Sequence, residues 1–379
     1  MNDSHNAFSL NLFSGQQQFE NFRSCEKIFP TTPIRRSGPV FEFGNAPRDL
    51  PETYLYEGST KNLINFLDEV DTTGMLVIKN DTIIYEDYWH GYTWQTRCLS
   101  MSVAKSFVSA LVGIALHEGC FSRIEDPITQ YVPELNGSGY DGVRIKDILQ
   151  MSSGVRWNED YSDPDSDINR LGRALGSGES FDVCAAACVA ELPPGSYNRY
   201  VSMDTQVLGM LLVRTTGESI SKYLETRIWE KLGMECDAYW IVDDDGMEMA
   251  FGGLNVTLRD YARFGRLYLF GGNWQGEQIV PAQWVADSVT PDAPHLQPGV
   301  NDLSEEEMGY GMQWWLPNNP DGEYLAIGVY GQFIYVYPRE QLVIAKTSAN
   351  RNYGLTDEEP SWRELEHIEV FRAIAQQLK

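Results

Sequence analysis

Ser102-Val-Ala-Lys105 puts a hydroxyl and an amine three residues apart, so in a helix both lie on one face within mutual reach. A serine attacks a carbonyl only when a base takes its proton. A lysine can be that base only where burial or a nearby cation lowers its pKa from about 10.4. The residues that follow supply burial: Phe107, Val108, Ala110, Leu111, Val112, Ile114, Ala115 and Leu116 make the helix apolar nearly all round. Ser102 opens that helix, where free N–H groups and the positive end of the macrodipole can stabilise an oxyanion. The spacing also occurs at Ser24-Cys-Glu-Lys27 and Ser219-Ile-Ser-Lys222, where chance is the plain explanation. The first lies in a polar, irregular lead and the second on a polar helix face, so context selects Ser102.

The totals narrow the alternatives. The chain has 379 residues, enough for a sizeable core, and 29 Lys plus Arg against 54 Asp plus Glu give a net charge of −25. Such a balance argues against nucleic acid, whose phosphates need basic partners. No apolar run approaches the ~20 residues that span a bilayer. The opening residues lack a basic segment followed by an apolar one, so the expectation is a cytoplasmic protein with no membrane partner. Six cysteines without a C-x-x-C pair read as reduced core thiols. Five histidines without H-E-x-x-H, and no G-x-S-x-G, disfavour a zinc hydrolase and an α/β-hydrolase triad.

The elements that must position Ser102 follow from periodicity and turn residues. Residues 1–50 show no sustained period and read as an extension draped over the body. A helix from Asn62 to Val70 precedes two strands, Met75–Ile78 and Thr82–Tyr88, joined by an Asn-Asp turn. The Ser102 helix ends near Glu118-Gly119, and helical patterns dominate from there to about 310. They include a short helix within 143–154 and one after Tyr200 that Gly217 stops; the acidic loop 158–167 carries Tyr161. Three strands, Tyr324–Gly328, Gln332–Tyr337 and Leu342–Lys346, and a helix from Ser361 to Leu378 close the chain. Strands at both ends around a helical block predict one antiparallel five-stranded sheet, flanked by helices, in an α/β chain of the α+β type. The expected division is an extension over 1–50 and a catalytic domain over 51–379. Within that domain the sheet comes from about 60–90 and 310–350 and the helical region from about 100–309.

With Ser102-x-x-Lys105, Tyr200-Val-Ser202 after Pro-Pro-Gly195, and the Gly328-Val-Tyr-Gly-Gln332 hairpin together, residues 60–379 resemble the β-lactamase-related serine hydrolases of the class C and penicillin-binding type. Met-Ser-Ser-Gly154, Phe251-Gly-Gly-Leu-Asn255 and Tyr310-Gly-Met-Gln-Trp-Trp315 are similar to that family as well. The likeness is greatest to 6-aminohexanoate-dimer hydrolases and family VIII carboxylesterases. Two departures stand out: Ala326 where lactamases carry a lysine or histidine that binds the β-lactam carboxylate, and Ser202 where class C enzymes usually have asparagine.

The resemblance implies a serine β-lactamase/DD-peptidase-like fold and cleavage of a small amide or ester through an acyl-serine. Ser102 would be the nucleophile, with Lys105 and Tyr200 moving the proton, Tyr200 either as an anion favoured by Lys105 or in concert with it, and no metal or cofactor would be needed. The backbone N–H groups of Ser102 and Val329 would form the oxyanion hole. Tyr161, Asn255, Trp315 and Gly328 are the expected substrate-binding positions. Taken singly, each has a plainer reading: Tyr161 a solvated loop tyrosine, Asn255 a turn residue, the Trp314-Trp315 pair core, and Val329 ordinary sheet pairing. The rival functions are a β-lactamase or D-Ala-D-Ala peptidase and, from another class, a catalytically silent binding protein on the same scaffold. A homodimer is left open.

Overall fold

The computed structural model describes residues 15–355 and 362–379. Residues 1–14 of the expected extension, and Ser361 at the start of the expected terminal helix, lie outside the described residues.

Twelve strands and six helices suffice to follow the site. In chain order the strands are β1 (Thr31–Ile34), β2 (Gly44–Asn45), β3 (Thr72–Lys79), β4 (Thr82–Tyr88), β5 (Arg97–Leu99), β6 (Ala238–Ile241) and β7 (Leu254–Thr257). They continue with β8 (Gly309–Tyr310), β9 (Trp315–Leu316), β10 (Tyr324–Gly328), β11 (Gln332–Tyr337) and β12 (Leu342–Ser348). The helices are α1 (Leu63–Glu69), α2 (Val103–His117), α3 (Ser202–Thr216), α4 (Leu258–Leu269), α5 (Ala282–Ser288) and α6 (Glu364–Gln377).

The main sheet runs β8-β9-β10-β11-β12-β3-β4-β2. Its centre is the expected antiparallel set of five, β10 to β4, but among the described residues it has eight strands. Three two-residue strands extend its edges, and β2 lies parallel to β4. Such short edge pairings carry too few residues to leave a period-2 signature. The β3–β4 turn matches its residues: Asn80 and Asp81 both have positive φ, 50° and 57°, as a type I′ hairpin turn requires.

Alternation along β11 explains how the sheet is buried on both faces. Ile334 and Val336 point to α4, where a Cβ on Gly265 would stand 2.8 Å from Ile334. Phe333 and Tyr335 point the other way, to Phe371 of α6. Every residue of β10, β11 and β12 is buried, so continuous apolar runs replace polar and apolar alternation. Helix α2 lies beyond α4, with Phe107 stacked on Phe264 at 3.7 Å, and it is buried from Val103 to Ala115.

Two expectations need correction. The region 100–309 is not only helical: β6 and β7 lie within it and join β1 and β5 in a second sheet, ordered β1-β6-β7-β5. Strands of three or four residues are too short to outweigh the helical pattern around them. Nor are residues 15–50 merely draped. Strand β1 is an edge of that second sheet, pairing Thr31 with Ile241 and Ile34 with Ala238, and Phe22, Cys25 and Ile34 are completely buried. All six cysteines are free: Cys25 and Cys98 are buried and the other four half-buried. No helix among the described residues is long and apolar enough to cross a membrane.

Candidate active site

Strand β5 delivers the chain to Ser100, and a sharp bend then aims Ser102 at the first turn of α2. The bend sits at Met101, whose φ of 46° is a left-handed value that a side chain this size adopts only under tertiary constraint. Ser102 caps α2, is 8 % exposed and lines a cavity of about 380 Å³. Lys105, one turn on, is 2 % exposed and its Nζ lies 2.8 Å from Ser102 Oγ. Two further groups hold that amine: the Phe251 carbonyl at 2.8 Å and Ser202 Oγ at 3.2 Å. Burial drives the Lys105 pKa down to about 7, with the Glu159 carboxylate pulling the other way. The amine therefore exists substantially as a free base near neutrality.

Tyr200 arrives from the loop before α3. Its ring stacks on Trp315 at 5.2 Å and lies 5.1 Å from Lys105 Nζ. Burial pushes its phenol well above the ordinary range; Tyr310 and Glu159 push it further, and only the contact with the Ser102 side chain pulls it down. A standing anion is thus disfavoured at Tyr200 and the neutral phenol favoured.

The end of β10 closes over Ser102 from the other side. A Cβ on Gly328 would stand 2.5 Å from the Ser100 carbonyl and 3.0 Å from the Ser102 nitrogen, so only glycine lets the strand approach this closely. Val329 follows at the cavity wall, and the chain then turns through Tyr330 at φ 65°. Trp315 and Tyr161 line the cavity as expected.

Asn255 does not line it. The residue lies in β7, fully buried, with its amide donating to the Gly253 carbonyl at 2.9 Å. A one-residue shift along a strand reverses the face a side chain occupies, which sequence alone does not fix. Trp314 is likewise core, packed against Tyr268 and Tyr324. The two other Ser-x-x-Lys matches serve locally: Lys27 is exposed beside Glu20, and Ser219 caps a helix while Lys222 pairs with Glu225 at 2.5 Å.

Glu159 is the residue that sequence reading missed. Its carboxylate accepts from Ser202 Oγ at 2.6 Å, from the Ser202 nitrogen at 3.2 Å, from the Tyr161 hydroxyl at 3.0 Å and from the Trp157 indole. In an acidic loop it looks like one more solvated charge, and only its position two residues from Tyr161 hinted otherwise. Further carboxylates, Asp160, Glu305, Glu306 and Glu364, share the cavity wall. Burial, then Glu305 and Glu159, raise the Glu306 carboxyl to about 7.

This architecture has relatives. The family described as beta-lactamase matches residues 61–368. The 6-aminohexanoate-dimer hydrolase of Paenarthrobacter ureafaciens is 34% identical over 337 residues, spanning 86% of this chain and 84% of that protein. A Bacillus anthracis structure, assigned provisionally as a 6-aminohexanoate-dimer hydrolase, superimposes with a TM-score of 0.87 at 25% identity, covering 97% of this chain and 96% of that one. A class C β-lactamase shares the fold, with a TM-score of 0.60 at 18% identity over 84% of this chain and 94% of its own.

Proposed function

Because the chain belongs to the β-lactamase family of serine hydrolases, we propose that it cleaves amide or ester bonds of small linear substrates through an acyl-serine on Ser102. The observation that carries this reading is the 2.8 Å contact between Ser102 Oγ and an amine held near pKa 7. It favours an enzyme over a silent binding protein on the same scaffold.

In the proposed course, Ser102 Oγ attacks the carbonyl carbon while its proton passes to Lys105 Nζ. The backbone N–H groups of Ser102 and Val329 face the oxyanion, a role that the close approach of Gly328 to the Ser102 nitrogen supports. Tyr200, as a neutral phenol, hands a proton to the departing nitrogen or oxygen and is reprotonated from Lys105. Water then cleaves the acyl-enzyme through the same relay.

The cavity wall supports a neutral or cationic substrate. Among the described residues, five carboxylates line it and no arginine or lysine does, so an anionic group entering there meets like charge. Together with Ala326 this ranks linear amides and esters above β-lactams and D-Ala-D-Ala peptides. The relative's name adds amides of ω-amino acids as the first candidates.

The test is a panel of p-nitrophenyl esters, short ω-amino-acid amides and a chromogenic cephalosporin, run on wild type and Ser102→Ala. Turnover of the esters or amides is expected, falling roughly a thousandfold or more in the variant. An unchanged rate would mean another nucleophile, and rapid cephalosporin turnover would reverse the substrate ranking.

A further inference from the structure

We propose that Glu159 is a positioning residue: acting through the Ser202 hydroxyl, it keeps the lone pair of Lys105 aimed at Ser102. This rests on the reading of Lys105 as the base. A neutral amine has two N–H donors and one lone pair, and Lys105 Nζ has three neighbours: Ser102 Oγ, Ser202 Oγ and the Phe251 carbonyl. The carbonyl only accepts, so it takes one N–H. The two hydroxyls compete for what remains, and they are not equivalent in outcome. If Ser202 donates to the lone pair, Ser102 receives an N–H and its own proton cannot pass to Lys105. The site is then complete in composition and idle.

Glu159 decides the contest. A carboxylate accepts only, so with Ser202 Oγ 2.6 Å from Oε1 the Ser202 proton points to Glu159 and away from Lys105. Ser202 can then only accept from Lys105. The second N–H goes to Ser202, and the lone pair is left for the Ser102 proton.

The other contacts of Glu159 make the effect of replacing it specific. Trp157 Nε1–H and the Ser202 backbone N–H donate to Oε2 and cannot reverse, whereas the Ser202 and Tyr161 hydroxyls at Oε1 can. A glutamine of the same shape must turn its carbonyl oxygen to the first pair and its NH2 to the two hydroxyls. Ser202 then accepts from the glutamine and turns its own proton onto the Lys105 lone pair. One atom exchanged, oxygen for nitrogen, reverses the chain of donors.

The experiment compares wild type, Glu159→Gln, Ser202→Ala and the double variant of the full chain. Hydrolysis of p-nitrophenyl acetate is measured per reactive site, the sites being counted with a fluorophosphonate probe. Glu159→Gln is expected to lower kcat/KM by about tenfold or more, as for a base whose lone pair is occupied. The double variant is expected to be faster than Glu159→Gln alone, by about threefold or more, because nothing remains to cap the lone pair. A role confined to holding the loop predicts the opposite, since removing a second contact would slow the enzyme further. A double variant as slow as Glu159→Gln, or slower, overturns the proposal. Failure of the underlying reading is distinct: the probe would not label wild type, or Lys105→Met would turn over as fast as wild type.

Discussion

Lys105 combines two demands that usually conflict, a buried position and an ionisable amine. Its folded pKa of about 7 lies below the ordinary value of 10.5, chiefly from desolvation. Between those values the unfolded chain holds a proton that the folded chain has released. Stability therefore rises with pH across that window, by up to about 1.4 kcal/mol per pH unit for the single proton. The contribution is complete above 10.5 and is lost as pH falls toward 7. In Lys105→Met the slope should be smaller by that amount, which urea unfolding of the two proteins between pH 7 and 10 would reveal. In the proposed reaction the same proton sets the rate: kcat/KM for p-nitrophenyl acetate should fall about tenfold per unit below about pH 7. A profile flat down to pH 5 would remove Lys105 as the base.

At the scale of elements, α2 is capped by Ser102 and is clamped by neighbours that leave it no spare room. Gly113 sits at mid-helix, where alanine would ordinarily stabilise by about 1 kcal/mol. Here a Cβ would stand 2.4 Å from the Trp284 ring of α5, a rigid side chain that is itself buried. Overpacking of this kind costs about 1 to 3 kcal/mol, so Gly113→Ala should lower the thermal midpoint in spite of its better helix propensity. A higher midpoint would mean that α5 does not pack on α2 at this position. The same logic of close approach at Gly328 fixes β10 against the Ser102 nitrogen, so the site depends on how three elements abut and not only on its side chains.

At the scale of the molecule, residues 15–50 act on the site from a distance in sequence. The Phe22 carbonyl accepts from the Leu99 nitrogen at 2.9 Å, just before Ser102, and the Phe22 ring meets Tyr330 at 5.2 Å, just after Val329. Arg263 Nη2 donates to the Phe41 carbonyl at 2.7 Å, tying the same segment to α4. A chain lacking residues 1–50 would expose Ile34's partners in β6 and lose a completely buried phenylalanine, a loss of several kcal/mol by itself. It should unfold well below the wild-type temperature and lose ester hydrolysis, as calorimetry and assay of the truncated protein would show. An active truncated enzyme with an unchanged midpoint would restore the view of this segment as a dispensable wrapping.

What the sequence determined by itself was whatever rests on local chemistry. The apolar run after Ser102, the Asn-Asp turn and the glycine at 217 carry their reasons within a few residues, and so α2, the β3–β4 hairpin and the end of α3 were legible. The meeting of Ser102, Lys105 and Tyr200 in one place was expected from the resemblance, whose motifs keep their order along the chain. What only the tertiary structure decided depends on partners far apart in sequence. Glu159 differs from its acidic neighbours solely by the Ser202 that meets it, Asn255 leaves the cavity by the face its strand presents, and β1 is a strand because β6 is there to pair with it. A side chain's type is written at its own position; whether it is a base, an acceptor or filler depends on what stands within hydrogen-bonding distance, and folding supplies that.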